Sequence, residues 1–523
     1  MWRRLSPAAG CLVFGLTLPA IAAETDSPAE TLFGEHCAAC HGADRLGGTG
    51  PALLPESLAR LRPERARSVI AEGRAATQMP AFGDVLAGDD IDALVSFVYT
   101  PLPEPPGWDL ADMRGSHILA PGDEPLPVAP VYDADPLHLF VVVESGDHHV
   151  SILDGDRLEP IHRFPSRFAL HGGPKFSPDG RFVYFASRDG WITKYDLYGL
   201  QVVAEIRAGI NTRNIALSHD GAVVAVANYL PHTLVMLDAT DLSPLTVIPT
   251  KGMRNGPTSR VSAVYQAAPR ESFIVAFKDI REVWEIPYGT SPRPVFSGLV
   301  HNYEPGREEA LAQAAERFPI RRIEVEAPLD DFFFGPGYRV LIGASREGGA
   351  SVVHLDVGRT IAHLPIDGLP HLGSGITWRM GDRTVMATPH LRADAVSVID
   401  MENWEVVRRI ETLGPGFFMR SHRNSPYAWV DVFFGPNSDA LHVIDKQSLE
   451  IVATLRPDPG KTAAHVEFTH DGRYALVSIW DMEGAIAVYD AVTLEEVARI
   501  PMVRPSGKYN VFNKITLEEG TSH

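Results

Sequence analysis

The chain has 523 residues, of which 45% are apolar and 22% are charged, and its formal net charge is -19. This composition is typical of a folded globular protein and excludes a disordered chain. The acidic balance argues against a nucleic-acid-binding surface, because such a surface needs clustered Lys and Arg. A chain of this length predicts one large domain with a small one, or two to three domains.

The first 23 residues have the pattern of a cleaved export signal. Arg3 and Arg4 precede an apolar run from Gly10 to Ala20, and small residues then place the cleavage point near Ala22–Ala23. The apolar run is shorter than the roughly 20 residues that a membrane-spanning helix needs. We therefore expect a mature protein that lies in the periplasm and has no membrane span.

The mature chain keeps two cysteines, both in the stretch EHCAACHGAD. C-x-x-C alone fits a redox dithiol or half of a zinc site, but a histidine directly after it makes the attachment motif of a c-type heme. Cys37 and Cys40 then form thioethers to the porphyrin, and His41 ligates the iron. Met79, in ATQMPAFGD, is the predicted second axial ligand. Residues 24–100 are thus predicted to form a small all-α class I cytochrome c domain with one covalent heme c.

A proline-rich segment at 101–116 predicts a stiff linker, and beyond it the chain is repetitive. A strand that ends in aspartate recurs at Asp154, Asp196, Asp238, Asp356, Asp400, Asp445 and Asp490. The one wide gap holds a weaker copy near Ile286 and an insertion. In that insertion Leu311, Ala314 or Ala315, and Phe318 predict a short surface helix.

Hairpin-turn sequences such as FSPDGRFVYF recur with the same period, which is about 42 to 45 residues. This period is the signature of β-propeller blades, and eight copies predict an all-β eight-bladed propeller over residues 117–523. A β-sandwich with many short strands would not explain the constant period.

Four residues are predicted to meet at one mouth of the propeller channel. The first strand of each blade lies innermost, so the residues that begin those strands gather around the axis. His171, Arg213, His371 and His465 occupy such positions in four different blades. Convergent histidines indicate a metal or catalytic centre. Zinc, copper or a heme-like macrocycle each fit this pattern.

The segments around these residues resemble the cytochrome cd1 family, which joins a c-heme domain to an eight-bladed propeller that binds heme d1. The similar segments are RFALHGGPKFSPDGRFVYFASRDGWITKYDL, SRVSAVYQAAPRESFIVAFK and VRPSGKYNVFNK. The resemblance implies that His171 is the proximal ligand of the heme d1 iron. It also implies that four cations bind the carboxylates of the macrocycle, namely Arg188, Arg213, Lys251 and Arg260.

Within this family, nitrite reductases use two distal histidines. His371 matches one of them, but Asp330 stands at the other position, which argues against nitrite reduction. The segments AAHVEFTHDGRYALVSIW and GKYNVFN are more similar to those of dihydro-heme d1 dehydrogenases. This similarity implies that a propionate side chain of dihydro-heme d1 is oxidised to an acrylate, the last step of heme d1 biosynthesis.

The implied catalytic residues are His465, Tyr509 and His371. His465 is the expected base, Tyr509 orients the substrate carboxylate or relays a proton, and His171 and His371 ligate the substrate iron. Electrons leave through heme c to an acceptor further along, and transient contact with a cd1 nitrite reductase or another heme d1-handling protein is expected. A cd1 nitrite reductase with an altered distal side and a non-enzymatic heme d1 carrier stay open as alternatives.

Overall fold

The computed structural model describes residues 27–522 except 49, 60, 75–78, 121–124 and 290–316. The predicted signal peptide, with its cleavage point near Ala22–Ala23, lies outside the described residues. The same holds for Leu311, Ala314 and Ala315 of the predicted insertion helix. Phe318 is described; it lies in a bend and packs into the core beside Trp284. No helix in the described ranges is long and apolar enough to cross a membrane.

The first part of the chain is helical, as predicted. Its elements are α1 (Pro28–His36), α2 (Ala38–His41), α3 (Pro63–Glu72) and α4 (Gly88–Val98). Helix α1 begins after Ser27, whose hydroxyl accepts the N–H of Glu30, and has a proline in its first turn. A small apolar core joins α1 to α4 through Phe33, Leu86, Ile91, Leu94 and Val98.

The predicted linker is extended only in its first half. Asp109 caps a further helix, α5 (Leu110–Ser116), by accepting the N–H groups of Ala111 and Asp112. The side chain of Met113 is fully buried in a core cluster with the neighbouring blades. The short strand β1 (Ile118–Leu119) then pairs with the outer edge of a propeller sheet. These contacts fasten the end of the linker to the propeller.

The remaining strands form eight sheets, which confirms the predicted eight-bladed propeller. Blade 1 contains β2 (Phe140–Glu144), β3 (His149–Asp154), β4 (Glu159–Pro165) and β33 (Pro505–Asn510). Blade 2 contains β5 (Lys175–Phe176), β6 (Phe182–Ala186), β7 (Trp191–Asp196) and β8 (Gln201–Arg207), with β1 outside β8. Blade 3 contains β9 (Asn211–Leu217), β10 (Val223–Leu230), β11 (Thr233–Asp238) and β12 (Pro244–Pro249). Blade 4 contains β13 (Val261–Ala267), β14 (Ser272–Phe277), β15 (Glu282–Pro287) and β16 (Arg321–Glu324), with a 3-10 turn at Ala268–Arg270.

The second half of the ring repeats this plan. Blade 5 contains β17 (Asp331–Phe334), β18 (Val340–Ala344), β19 (Ala350–His354) and β20 (Arg359–Leu364), with a 3-10 turn at Pro336–Tyr338. Blade 6 follows a 3-10 turn at Leu372–Ser374 and contains β21 (Ile376–Met380), β22 (Arg383–Pro389), β23 (Ala395–Asp400) and β24 (Val406–Glu411). Blade 7 contains β25 (Met419–Ser421), β26 (Tyr427–Asp431), β27 (Leu441–Asp445) and β28 (Ile451–Leu455). Blade 8 contains β29 (Ala463–Phe468), β30 (Tyr474–Ile479), β31 (Gly484–Asp490) and β32 (Glu496–Met502). Helix α6 (Val511–Thr516) ends the described fold.

The ring closes by pairing the end of the chain with its first blade. Strand β33 lies at the inner edge of blade 1, antiparallel to β2, with Tyr509 opposite Val141. Inner strands of successive blades also contact one another, including β9 with β13, β25 with β29, and β29 with β33. The predicted gathering of inner strands around one axis is therefore present. Apolar side chains fill the wedges between blades, as in the cluster that holds Trp284 between blades 3 and 4.

The aspartate repeat of the sequence has a structural cause. Its carboxylates accept backbone N–H groups in the turn between the third and fourth strands, at Asp154, Asp196, Asp238, Asp400, Asp445 and Asp490. Asp356 differs, because its carboxylate pairs with the guanidinium of Arg270 at 2.7 Å. The repeat thus fixes one hairpin turn in each of these blades.

We expect the Asp490→Ala variant to be less stable than the parent protein at pH 7 by about 1 kcal/mol, since its turn loses two charge-assisted hydrogen bonds that water screens. The N–H groups of Thr493 and Val492 lower the pKa of Asp490 in the folded protein. A lowered folded pKa stabilises above the unfolded value and loses this contribution as pH falls through the folded value, so the cost of the substitution shrinks below about pH 4.

Urea denaturation followed by circular dichroism at several pH values measures this cost. Glu495→Ala is the matched control, because that exposed carboxylate lies in the same hairpin and has no hydrogen bond among the described residues. Equal midpoints for the two variants at pH 7 would contradict the capping role of Asp490.

Candidate functional site

The C-x-x-C-H motif lies where α1 meets α2. Cys37 caps α1, and Cys40 and His41 belong to α2; both thiols are free, and burial raises the pKa of Cys37 to about 11. The Nδ1 of His41 donates to the carbonyl of Pro51 at 2.7 Å, so its Nε2 carries the lone pair. A Cβ at Gly50 would lie 2.8 Å from the imidazole, so only glycine fits beside this ring.

Met79 follows α3, and its carbonyl accepts the N–H of Arg74 at 3.2 Å. The walls of the small domain are apolar and include Leu53, Leu58 and Phe82. Two reduced thiols, an oriented imidazole, a thioether and an apolar lining together fit a heme c group. The chain thus has residues suited to such a group.

The heme c side of the small domain packs against blades 2 and 3. Ala52 and Leu54 share an apolar cluster with Ile210 and Leu230 of the propeller. The guanidinium of Arg207 donates to the carbonyl of Leu46 and, at 2.9 Å, to that of Asp189. The loop from Leu46 to Leu54, which makes these contacts, also carries Pro51. Because the carbonyl of Pro51 orients His41, the C-x-x-C-H motif lies close to the propeller surface.

In the propeller, His171 lies in the loop before β5. Its Nδ1 donates to the carbonyl of Arg213 at 2.8 Å, and its Nε2 accepts from the guanidinium of Arg188 at 2.8 Å. His171 is thus oriented by blade 3 and has its Nε2 lone pair on the side of Arg188. This is the tautomer that a metal-ligating histidine needs.

His371 precedes blade 6, and its ring is oriented by the same kind of hydrogen bond as that of His171. Its Nδ1 donates to the carbonyl of Phe417 at 2.6 Å, and its ring packs 4.3 Å from that of Phe417. Burial lowers the pKa of His371, although the carboxylate of Asp331 opposes the shift. His371 is therefore a neutral imidazole with its lone pair on Nε2.

His465 differs from His41, His171 and His371 in its backbone conformation and in the hydrogen bond at its Nδ1. It lies in β29, is 1% exposed, and has a left-handed backbone with φ of 50°. The N–H of Lys508 points at its Nδ1 from 3.4 Å, which favours the tautomer with the proton on Nε2. Burial lowers the pKa of His465 well below its usual value, and the cations of Lys508 and Arg420 act in the same direction.

Tyr509 joins this histidine to the loop of His171. Its ring lies edge-on to that of His465, with centroids 5.0 Å apart. A Cβ built at Gly173 would be 3.4 Å from the same ring. His465 also contacts Phe418, whose ring lies 6.5 Å from that of His371. The structure thus connects His371, His465 and Tyr509 through ring contacts and places the loop of His171 against Tyr509; we call this arrangement the wall.

Three of the four predicted carboxylate-binding cations lie around one tyrosine. Arg188 and Arg260 lie 6.0 and 5.8 Å from the ring of Tyr229, and Arg213 interacts electrostatically with the same tyrosine. Lys251 is exposed, and its described contacts are those of its backbone, including a carbonyl that accepts from Arg322 at 2.8 Å. Among the described residues no contact joins the Lys251 side chain to that group.

Sequence reasoning missed the buried charges of the site. Arg420, 3% exposed, acts electrostatically on His371, His465 and Tyr509, and its Nε lies 3.7 Å from a carboxylate oxygen of Glu467. Its sequence signal was a single charge after the apolar run GFFM.

A second missed group is Asp331, which accepts the hydroxyl of Tyr265 at 2.8 Å and the N–H of Gly373 at 3.1 Å. Its neighbour Asp330 is paired with Lys278 and with Arg346 at 2.8 Å. Asp331, and not Asp330, is therefore the carboxylate that acts on His371.

The fold and this wall define a heme-binding β-propeller with its own cytochrome c domain. Comparison with known families agrees, because the cytochrome D1 heme domain matches residues 134–301 and 310–514. Residues 24–98 match the family described as cytochrome C oxidase, cbb3-type, subunit III. The chain belongs to the cytochrome D1 heme domain family.

Individual proteins are similar to this chain over nearly its whole length. The chain is 56% identical to a dihydro-heme d1 dehydrogenase from Pseudomonas aeruginosa, over 98% of this chain and 99% of that protein. It is 25% identical to a nitrite reductase from Stutzerimonas stutzeri, over 97% of each. A solved structure described as dihydro-heme d1 dehydrogenase NirN in complex with DHE superposes with a TM-score of 0.87 at 56% identity, covering 94% of this chain and all of that one.

The buried carboxylate of Asp431 predicts how the stability of the protein depends on pH. Its carboxylate accepts the N–H groups of Phe417, Phe418 and His465 at 2.7, 3.0 and 3.3 Å, yet burial raises its pKa to about 7. A raised folded pKa stabilises fully below the unfolded value and loses this contribution as pH rises through the folded value. We therefore expect wild type to lose about 2–4 kcal/mol relative to Asp431→Asn between pH 4 and pH 7.

Denaturant titrations of both proteins across that range measure the difference. Asp382→Asn, which removes an exposed carboxylate of blade 6, is the control and should leave the slope of stability against pH unchanged. If the stability of wild type and of Asp431→Asn changed in parallel with pH, Asp431 would be ionised throughout this range and the prediction would be wrong.

Proposed function

We propose that this protein is a dihydro-heme d1 dehydrogenase, an oxidoreductase that converts a propionate side chain of dihydro-heme d1 to an acrylate. The reaction removes two protons and two electrons from a –CH2–CH2– unit and leaves –CH=CH–. The observation that carries the proposal is the edge-on pair of His465 and Tyr509 beside the oriented His371. The identity of 56% with a dihydro-heme d1 dehydrogenase over nearly the whole chain supports it.

The substrate iron is the proposed partner of His171 and His371. Both rings donate through Nδ1 to backbone carbonyls, which leaves each Nε2 as the ligating atom. Arg188 must then release the Nε2 of His171, which frees its guanidinium for a carboxylate of the macrocycle. Arg213 and Arg260, which also lie around Tyr229, are proposed to bind further carboxylates.

His465 is the proposed base and Tyr509 the proposed orienting group. A buried neutral imidazole accepts a proton without first losing one, whereas burial raises the pKa of Tyr509 to about 12 and keeps its hydroxyl protonated. The N–H of Lys508, 3.4 Å from Nδ1, favours the tautomer with the proton on Nε2. To act as the base, His465 must offer a lone pair to the substrate, so this contact must break or the proton must move to Nδ1. The Tyr509 hydroxyl can donate to the substrate carboxylate and keep the reacting carbons near His465.

Heme c, held by Cys37, Cys40, His41 and Met79, would accept the electrons one at a time when it is bound. The packing of the Leu46–Leu54 loop on blades 2 and 3 supports this route, because it keeps the His41 side of the small domain against the propeller. A periplasmic location, an electron acceptor for heme c, and transient contact with a cd1 nitrite reductase belong to the same proposal.

Turnover of dihydro-heme d1 tests the function directly. We expect purified holoprotein to form the acrylate product, and His465→Gln to lose about 100- to 10,000-fold in kcat while still binding substrate, because only proton transfer is removed. His219→Gln, in a hairpin of blade 3, is the matched histidine control. Nitric oxide formation from nitrite at the rate of substrate turnover would favour a nitrite reductase, and binding of heme d1 without turnover would favour a carrier.

The pH profile separates the two candidate bases. If His465 is the base, kcat stays nearly flat between pH 6.5 and 9, since burial places its pKa well below 6.5. If the phenolate of Tyr509, with its pKa of about 12, were the base, kcat would rise about tenfold per pH unit over the same range. Steady-state rates with saturating substrate and acceptor distinguish these outcomes, and full turnover by Tyr509→Phe would limit that hydroxyl to packing.

A further inference from the structure

A second group of histidines lies on the rim of the propeller, outside the wall described above. It comprises His138, in the loop before β2, Asp156, in the turn after β3, and His470, in the turn after β29. One ligand atom from each of these side chains lies within 4.8 Å of the other two. Two blades that are distant in sequence, 1 and 8, thus contribute to one cluster.

The two half-buried imidazoles are stacked face to face. Their centroids are 3.4 Å apart and their planes differ by 3°. The Nδ1 of His138 contacts a carboxylate oxygen of Asp156 at 2.8 Å, and its Nε2 lies 3.8 Å from a carboxylate oxygen of Asp135. A carboxylate on one side and a second carboxylate on the other give this pair of rings a negative surrounding.

His470 supplies an independent observation. Its Nδ1 is buried from solvent and makes no hydrogen bond to any described residue, and the nearest carboxylate oxygen is that of Asp156 at 3.9 Å. A buried imidazole nitrogen without a partner costs free energy, on the order of 1–3 kcal/mol in general. This nitrogen lies beside a carboxylate and a second imidazole, a donor set that can bind a cation.

The backbone holds the three residues in place. The main-chain N–H of Asp156 donates to Asp154 at 2.8 Å, the amide of Asn510 donates to the carbonyl of His138 at 3.1 Å, and His422 contacts the carbonyl of His470 at 3.1 Å. The side chains of His138, Asp156 and His470 keep about 24%, 51% and 27% of their exposure. Because a metal lies in the plane of an imidazole that ligates it, binding requires the two stacked rings to turn apart.

We propose that His138, Asp156 and His470 form a binding site for a divalent transition-metal ion, with Zn²⁺ as the ion that fits best. Two imidazoles and one carboxylate are a common zinc donor set, and Asp135 or water can complete a tetrahedron. The site spans the junction of blades 1 and 8, next to β33 and to Phe512 of α6, whose ring lies 6.3 Å from His470. Bound metal would link the two blades at the point where the ring closes.

Isothermal titration of tag-free holoprotein, treated with chelator and then dialysed, with ZnCl2 tests the site. We expect one ion per chain with micromolar or tighter affinity, a loss of at least tenfold in His470→Gln and in Asp156→Asn, and a Tm about 2 °C or more higher with zinc than without it. His363→Gln is the matched control, because that exposed histidine of blade 5 has a single carboxylate 3.3 Å away, on Glu326.

Zinc K-edge absorption spectra of the loaded protein should show nitrogen and oxygen ligands and no sulfur, which separates this site from Cys37 and Cys40. CuCl2 titrations form a second arm, and tighter copper binding with the same loss in both variants would change the metal but support the site. Unchanged zinc affinity in both variants, or no binding at about 100 µM zinc, would overturn the proposal. Circular dichroism of each variant confirms that it is folded before titration.

Discussion

Pairing of β33 with β2 is the interaction on which the rest of the structure depends. A propeller is a ring of sheets, and here a strand from the end of the chain, inside the first sheet, closes it. The register that places Tyr509 opposite Val141 also places its ring beside Gly173 of blade 2 and His465 of blade 8. The same hydrogen bonds that seal the ring therefore assemble residues from three blades into one wall. A register shift of one residue would turn Tyr509 to the opposite face of the sheet.

Hydrogen bonds at Nδ1 divide four histidines, His41, His171, His371 and His465, into two kinds. His41, His171 and His371 each donate from Nδ1 to a backbone carbonyl, of Pro51, Arg213 and Phe417, so each has its lone pair on Nε2. His465 receives an N–H at Nδ1 instead. The first arrangement leaves the Nε2 lone pair for a ligand such as iron, whereas the second places the proton of His465 on Nε2. One fold thus sets two tautomers of the same side chain by changing a single backbone contact.

Burial of charge gives the wall its electrostatic character. Arg420 and Lys508 are buried and Lys175 is half-buried. Burial lowers the pKa of Lys175 to about 8 and that of Lys508 well below its usual value. Asp331 and Asp431 are the opposing carboxylates, of which burial raises the pKa of Asp431. A positive wall suits a macrocycle that carries several carboxylates. Burial keeps His465 neutral by lowering its pKa, and the nearby cations act in the same direction.

The sequence by itself determined the blade count and the cytochrome c domain, because each follows from a repeat or a fixed spacing along the chain. The same repeat predicts that His171, His371 and His465 gather at one mouth of the channel. The aspartate repeat and the D-G turns carry local hydrogen bonds, which short stretches of sequence encode directly. Tertiary structure alone decided that Asp331 rather than Asp330 acts on His371, that Arg420 reaches His371, His465 and Tyr509, and that His138 stacks on His470. These contacts join blades far apart in the chain, and the direction in which a side chain leaves a strand depends on register and packing that no local pattern records.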